Sequence, residues 1–164
     1  MKKEKIKRVL AMLLGLIMCC MPLESPAFEV LSITSPCGLT AEEIDERLKG
    51  GLKGYGETFL QAERMTDDGE KCVNALFLAS VAALESGWGK SKIAQNKNNL
   101  FGWRGKDGWR EFSSKENCIL FVADRLKRNY IDCGLDTIAE IGPKYCDGNW
   151  IEHIQGIFWG LCGV

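Results

Sequence analysis

Hydrophobic positions follow helical spacing along most of the chain, and the stretch from Phe77 to Leu84 is apolar on nearly every face. It belongs to a helix that we predict from about Glu70 to Ser86. Because a helix that is apolar all round is buried, this one is predicted to form the centre of the fold. Gly87 follows it and is the residue type that most readily adopts the left-handed conformation at a helix end.

Shorter helices are predicted before and after this central helix. A capping box at Thr40–Glu43 begins the first, which spans about ten residues. The pair Gly142-Pro143 is predicted to end one of the later helices. The remaining helices are indicated by apolar stripes at Glu57–Met65, after Ser113–Glu116, at Thr137–Ile141 and at Trp150–Leu161.

Aromatic residues alternate with charged and small ones between Leu100 and Phe112, with Asp107-Gly108 in the middle of the run. Asp-Gly between two such segments is a strong signal for a β-hairpin. Several helices around one small hairpin predict an α+β domain, mainly α-helical, over residues 40–164. A length of 164 residues with 46% hydrophobic and 26% charged content fits one domain with its own core.

The N-terminal segment, residues 1–27, has the pattern of an export signal. Met1–Arg8 is basic, Val9–Leu23 is an apolar run, and residues 25–27 are small enough for a cleavage site. Export would make the protein secreted or bound to the cell surface, with residues 28–39 as a linker. A retained membrane anchor and a lipoprotein acylated at Cys19 are alternatives that the sequence leaves open.

The charge balance bears on the partner. The formal net charge is −1, and removal of residues 1–27 makes it about −4. No basic stripe is present to neutralise phosphates, so nucleic acid is not an expected partner. A neutral glycan fits this balance better.

Cysteines beyond the export segment are even in number, which favours at least one disulfide in an exported chain. The sequence does not choose among the pairings, and burial as small apolar residues is the alternative for some of them. Their spacing matches no zinc pattern, and His153 is predicted to lie at the surface, so no metal and no cofactor are expected. These cysteines are Cys37, Cys72, Cys118, Cys133, Cys146 and Cys162.

One acid, Glu85, stands at the end of the central helix. The apolar residues before it indicate burial, which disfavours the charged carboxylate, and the negative end of the helix dipole acts in the same direction. Both effects raise the pKa of Glu85, as a general acid requires. A solvated glutamate at a helix end is the alternative.

The residues around this acid resemble a known family. The segment ESGWGKS at Glu85–Ser91, followed by NNLFG at Asn98–Gly102, is similar to the motifs of bacterial glucosaminidase-type endo-β-N-acetylglucosaminidases, and a weaker likeness extends to about Ile157. These proteins are peptidoglycan hydrolases with a lysozyme-like fold. The resemblance implies a monomer that cleaves β-1,4 bonds after N-acetylglucosamine in peptidoglycan strands, with Glu85 as general acid.

The NNLFG loop supplies candidate substrate-binding residues, Asn98, Asn99 and Phe101. Asparagine amides offer donors and acceptors that suit an acetamido group or sugar hydroxyls. Alternatively, both asparagines hold the loop through its own backbone. The two roles are compatible.

Tryptophans are the other candidates for substrate binding. Trp88 is expected to pack against Glu85 and keep water from the acid. Of Trp103 and Trp109, one is expected to stack on a sugar ring and the other to pack, with a cross-strand pair as the alternative.

Two further residues, Tyr145 and Glu111, are candidates for catalysis beside Glu85. Tyr145 looks like the cleft tyrosine of the family, and its phenol could orient water or a sugar group. Glycosidases generally pair two carboxylates, and Glu111 is preferred here because Asp107 is occupied by the turn. Glu116 and Asp147 lie further along the chain. A surface role for Glu111 and a packing role for Tyr145 stay open.

Two other functions are compatible with the same sequence. A lytic transglycosylase would use one acid on the same fold and leave an anhydro-sugar. A non-catalytic wall-binding or assembly module would bind without hydrolysis. The combined motifs favour the glucosaminidase.

Overall fold

The helix predicted at the centre of the fold is present in the computed structural model, which describes residues 32–146 and 148–164. The predicted export signal at residues 1–27 lies outside the described residues, and so does Asp147. None of the helices within the described ranges is long and apolar enough to cross a membrane.

Helices account for most of the described residues. They are α1 (Ala41–Arg47), α2 (Gly56–Thr66), α3 (Ala75–Ser86), α4 (Lys92–Asn96), α5 (Lys115–Asn129), α6 (Ile138–Tyr145) and α7 (Trp150–Cys162). Short 3₁₀ turns occupy Gly50–Leu52 and Ile131–Cys133, and the hairpin consists of β1 (Arg104–Gly105) and β2 (Gly108–Trp109).

α2 and α7 pack against α3, in which every residue except Leu84 and Glu85 is buried. Phe77 of α3 meets Phe158 of α7 edge to face, with ring centroids 6.5 Å apart. α2 packs against both α3 and α5. Each large apolar side chain buried in this way contributes about 1.5–3 kcal/mol, so packing on both neighbouring helices holds α3 in place.

α3 begins several residues later than predicted because side chains satisfy its first N–H groups at Ala75 and beyond. Oδ1 of Asn74 accepts from the N–H groups of Leu76 and Phe77 at 2.9 and 3.1 Å. The buried carboxylate of Glu63 on α2 accepts from the N–H of Ala75 at 2.8 Å. Such caps determine where a helix starts, whereas the apolar pattern alone extends further back.

The described part of the predicted linker is attached to the domain and is not loose. The carbonyl oxygens of Ile33 and Thr34 accept from the N–H groups of Asn74 and Cys72 at 3.0 and 2.9 Å. Ile33 itself is only 2% exposed. These partners are distant in the sequence, so the local pattern gave no indication of them.

α6 continues through Gly142 and Pro143 to Tyr145, so the helix end predicted at this pair is wrong. A Cβ on Gly142 would overlap the side chain of Ile151 on α7. The glycine therefore permits a close approach of two helices. The additional turn determines where Tyr145 lies.

The hairpin confirms the Asp-Gly signal. Its antiparallel register pairs Arg104 with Trp109 and Gly105 with Gly108. Because Trp109 lies opposite Arg104, the alternative of a cross-strand pair between Trp103 and Trp109 is not realised.

The expected disulfide is not seen among Cys37, Cys72, Cys118, Cys133 and Cys162, which are free thiols in the structure. Cys72 and Cys118 are fully buried. Burial raises the pKa of Cys72 to about 12 and that of Cys118 to about 11, which keeps both thiols protonated and unreactive. These two cysteines fit the alternative of small buried apolar residues.

Candidate active site

Glu85 occupies the last turn of α3, where the helix meets an open cavity. Gly87 ends the helix with a φ of 57°, in the left-handed region that glycine adopts without strain. Burial raises the pKa of Glu85, in the direction that the sequence predicts. The carboxyl group is therefore biased towards its protonated form.

Trp150, the first residue of α7, holds this carboxyl group. Its Nε1 donates a hydrogen bond of 3.1 Å to Oε1 of Glu85, and the side chain is only 4% exposed. This bond lowers the pKa of Glu85 and opposes the larger effect of burial. An indole nitrogen can only donate, so Oε1 accepts, and this favours Oε2 as the oxygen that carries the proton of the neutral acid.

Oε2 of Glu85 lies on the side of the NNLFG loop and the hairpin. A Cβ on Gly102 would stand 3.9 Å from Oε2 and 3.6 Å from the ring of Trp109. Glycine therefore leaves space beside the oxygen that carries the proton. The geometry directs the acidic hydrogen towards a place where a substrate can lie.

Tyr145 stacks on Trp150, with ring centroids 4.8 Å apart, and contacts Tyr130 at 6.0 Å. Burial, followed by the charge of Glu85, raises the pKa of Tyr145 well above its ordinary value. The phenol therefore stays neutral and is able both to donate and to accept a hydrogen bond near the acid.

A cavity of about 260 Å³ opens at Glu85. It brings together four residues that the sequence analysis singled out: Glu85, Phe101, Trp103 and Tyr145. A volume of this size lies just below that of ordinary small-molecule sites, which start at about 300 Å³, as suits part of an extended groove. The remaining lining residues are Gly102, Arg104, Tyr130 and Cys146.

The two asparagines of the NNLFG loop hold the backbone and do not line this cavity. Asn99 is only 1% exposed. Its Nδ2 donates to the carbonyl oxygens of Trp103 and Arg110, both at 2.8 Å. Its Oδ1 accepts from the N–H of Trp103 at 2.9 Å. Asn98 donates to the carbonyl oxygen of Phe112 at 3.0 Å. In the structure both asparagines therefore hold the backbone of the loop. Their hydrogen bonds fix the hairpin beside Glu85.

The two hairpin tryptophans differ in their surroundings. Trp103 packs edge-on against Phe121 of α5 at 5.3 Å while also lining the cavity. Trp109 is 39% exposed, and the guanidinium of Arg104 lies 4.2 Å from its ring centroid. Trp109 therefore offers the accessible aromatic surface at the cavity rim.

Trp88 lies elsewhere, contrary to the expected packing against Glu85. Its φ is 59°, and Nζ of Lys49 stands 5.5 Å from its ring centroid. It lines a separate cavity of about 410 Å³ together with residues of α1 and α7. Two successive left-handed residues, Gly87 and Trp88, redirect the chain and turn this ring away from the acid.

Glu111 does not reach the cavity. Its side chain is 68% exposed and forms an ion pair with Lys97 at 3.3 Å. Asp107 and Glu116 are also exposed on the surface, and neither lines the cavity. Among the described residues, Glu85 is thus the only carboxylate in the cavity lining.

Sequence reasoning missed Trp150, Tyr130 and Arg104 as parts of the site. The first two resemble ordinary core positions, since an aromatic residue at a helix end usually packs. The pairing of Trp150 with Glu85 crosses 65 positions of the sequence. A buried acid needs a hydrogen-bond donor, and this need is the one signal that pointed to such a partner.

Curated proteins similar to this chain include one from Streptococcus pneumoniae named "Putative endo-beta-N-acetylglucosaminidase". It is 34% identical over 149 residues, which cover 84% of this chain and 21% of that protein. Protein bax of Escherichia coli is 44% identical over 59 residues, covering 29% of this chain and 22% of bax. The chain thus spans about a fifth of the length of these relatives.

Solved structures of S. aureus autolysin E share the fold. The complex with the muropeptide NAM-L-ALA-D-iGLU has a TM-score of 0.67 and 23% sequence identity, covering 77% of this chain and 68% of that one. A catalytic mutant in complex with the disaccharide NAG-NAM has a TM-score of 0.68 and 22% identity, with the same coverage. The likeness confirms the predicted lysozyme-like α+β class.

A family model described as mannosyl-glycoprotein endo-beta-N-acetylglucosaminidase matches residues 65–157. This range covers more than half of the chain and includes Glu85, Tyr145 and Trp150. It also contains both motifs on which the resemblance in the sequence rests. The chain therefore belongs to the Glucosaminidase family.

Proposed function

We propose that this chain is a peptidoglycan hydrolase that cleaves the β-1,4 bond following N-acetylglucosamine, with Glu85 as general acid. The observation that carries the proposal is the hydrogen bond from Trp150 to Oε1 of Glu85, because it engages Oε1 and leaves Oε2 available to carry the proton. Family membership supports the reaction class, and the autolysin E complexes contain fragments of peptidoglycan.

Catalysis begins from the protonated carboxyl group of Glu85. Oε2 delivers its proton to the glycosidic oxygen while the bond from that oxygen to C1 of the sugar breaks. The leaving strand departs as a neutral alcohol, and positive charge develops on the sugar ring. The ionised Glu85 then takes a proton from the attacking water, which its raised pKa favours.

The substrate itself is proposed to supply the second group. N-Acetylglucosamine carries an acetamido group on the carbon next to C1, and its carbonyl oxygen can attack C1, as in the substrate-assisted glycosidases. Such a route needs one protein carboxylate, in keeping with the described lining of the cavity. Glu111 is left out because its carboxylate pairs with Lys97 outside the cavity.

Aromatic side chains are proposed to bind the sugar ring. Trp103 lines the cavity beside Glu85 and Trp109 offers its exposed ring at the rim, whereas Phe101 is only 4% exposed and supports the cavity wall. Such rings stack on the apolar faces of sugars. The neutral phenol of Tyr145 is placed to hydrogen-bond the acetamido group or the incoming water.

Export by residues 1–27 completes the proposal, since peptidoglycan lies outside the cytoplasmic membrane. The composition of that segment supports it: five Lys/Arg precede an apolar run. Whether the segment is cleaved or retained decides between a secreted and a membrane-attached enzyme. Mass spectrometry of the mature protein distinguishes the two forms.

A lytic transglycosylase is the second candidate, because one carboxylate in the cavity lining is also enough for that reaction. Digestion of purified peptidoglycan separates the candidates. The proposed hydrolase leaves reducing ends of N-acetylglucosamine, formed with retention at C1. Anhydro-sugar ends would favour the transglycosylase, and reducing ends of muramic acid would refute the proposed bond.

A further inference from the structure

Arg104 is the one cation in the cavity lining within the described part of the chain. Its side chain is exposed, and its guanidinium carbon lies 4.2 Å from the ring centroid of Trp109 on the opposite strand. None of the described carboxylates comes within ion-pairing distance of it. Stacking on the ring limits the freedom of the side chain, while the N–H groups at the edge of the guanidinium have no anionic partner among the residues that the structure describes.

Arg110, which directly follows β2, has a packing role and serves as a comparison for Arg104. Arg110 places its guanidinium carbon 5.0 Å from the Phe112 ring centroid and 4.2 Å from that of Phe121, outside the cavity. It covers the aromatic cluster beneath the hairpin. Arg104 stands instead at the cavity, next to the accessible ring of Trp109.

Arg104 does not serve to ionise the acid. The pKa of Glu85 is raised by burial and lowered by Trp150, and no guanidinium contributes to it. Its exposed guanidinium is instead available to an anionic group of a bound ligand. The glycan backbone proposed as substrate is neutral, but the peptide stems on its muramic acid residues carry free carboxylates.

We propose that Arg104 binds a carboxylate of the peptide stem and makes the enzyme prefer stem-bearing strands over bare glycan; this inference rests on the proposed function. A planar guanidinium can donate two parallel N–H bonds to a carboxylate. A charge-assisted hydrogen bond of this kind is worth about 1.5–3 kcal/mol, or about tenfold and more in affinity. Arg104 is thus a specificity residue, whereas Glu85 carries the chemistry.

The test measures binding, so that it does not depend on which reaction follows. The parent protein is the Glu85→Gln variant, which keeps the shape of the site and leaves the strands intact. Its affinity is measured by calorimetry for soluble glycan strands with their peptide stems and for the same strands after amidase removal of the stems. Arg104→Gln is then added, with Lys106→Gln, an exposed lysine of the same hairpin outside the cavity lining, as the matched control.

Arg104→Gln is expected to weaken binding of stem-bearing strands about tenfold and to change binding of bare strands less than about twofold. Lys106→Gln is expected to change neither. Equal weakening for both kinds of strand would overturn the inference, since Arg104 would then act only by holding Trp109. An equal effect of Lys106→Gln would also overturn it, in favour of a diffuse charge effect. If the parent bound neither kind of strand, the proposed function itself would fail, and this outcome is distinct from the other two.

Discussion

The indole nitrogen of Trp150 lies 3.1 Å from Oε1 of Glu85 and donates a hydrogen bond to it. The first residue of α7 thereby favours Oε2 over Oε1 as the oxygen that carries the proton of the acid on α3. Burial raises the pKa of Glu85 and this bond lowers it, so the two effects together tune the acid. The relationship makes the pH dependence of the enzyme predictable in sign.

Replacing Trp150 with phenylalanine should move the basic limb of the rate profile to higher pH. Phenylalanine keeps an aromatic ring but cannot donate, so the one interaction that lowers the pKa of Glu85 is lost. The measurement is kcat/KM against pH, which reports the pKa values of the free enzyme.

Trp88→Phe is the control for this profile, because Trp88 faces the other cavity. Its basic limb should coincide with that of the unmodified protein. A limb that moves to lower pH in Trp150→Phe would show that the indole does not stabilise the ionised acid.

Replacing Glu85 with glutamine should abolish hydrolysis while the fold is retained. The amide has the same shape but cannot donate a catalytic proton, and general acid catalysis contributes typically about 10²–10⁴-fold. Release of reducing ends from purified peptidoglycan measures the loss. Glu57→Gln, at a surface ion pair with Arg64, is the matched control and should keep full activity. Activity of Glu85→Gln equal to that of this control would exclude Glu85 as the acid.

Replacing Tyr145 with phenylalanine should lower kcat while the stacking on Trp150 persists. The neutral hydroxyl near Glu85 is lost, and one hydrogen bond is worth about 0.5–1.5 kcal/mol, or roughly 2–10-fold in rate. Tyr55→Phe, which removes a hydroxyl outside the cavity, provides the comparison. If both variants turned over equally well, Tyr145 would have only a packing role.

The stability contribution of Glu85 should fall as pH rises. Its pKa in the folded protein is raised above the ordinary 4.5, so the contribution is fully present below that value and is lost as pH rises through the folded pKa. Urea unfolding across the pH range, compared with Glu85→Gln, measures this difference.

Asp68 supplies a control of opposite sign for the same experiment. Its hydrogen bond from Lys127 holds its pKa well below the ordinary value of 3.8. The stability contribution of Asp68 is therefore present above 3.8 and is lost as pH falls, which comparison with Asp68→Asn should show. A contribution of Glu85 that also grows with pH would mean that the folded protein favours the charged carboxylate there.

Replacing Gly142 with alanine should destabilise the domain by about 1–3 kcal/mol, because the added Cβ overlaps Ile151 where α6 meets α7. Gly156→Ala, on α7 with open space at its Cβ, should instead stabilise by up to about 1 kcal/mol through helix propensity. Thermal unfolding of both variants measures the two stability changes. Equal stability changes would show that α6 and α7 do not depend on this close approach.

The local pattern was sufficient for much of the fold. The apolar run before Glu85 required burial, Gly87 ended the helix, and Asp107-Gly108 marked the hairpin. These features depend on backbone preferences and on spacing within a few residues. The motif around Glu85 pointed to this residue as the candidate acid for the same reason, since its parts lie close together in the sequence.

Tertiary packing decided the rest of the site. Trp88 stands three residues from Glu85 in sequence yet turns away, because the chain there adopts a left-handed conformation that is uncommon outside glycine. Gly142-Pro143 looked like a helix end, but the close approach of Ile151 accounts for the glycine.

The sequence by itself determined the family, the buried helix and the acid at its end. The three-dimensional structure decided which groups surround that acid: Trp150 donates to it, Tyr145 stacks beside it, and Glu111 pairs with Lys97 outside the cavity. The direction of a side chain depends on how distant helices pack, and contacts of this kind produce no periodic pattern in the sequence. A buried carboxyl group required a partner from the beginning, but only the approach of α7 to α3 determined that the partner is an indole.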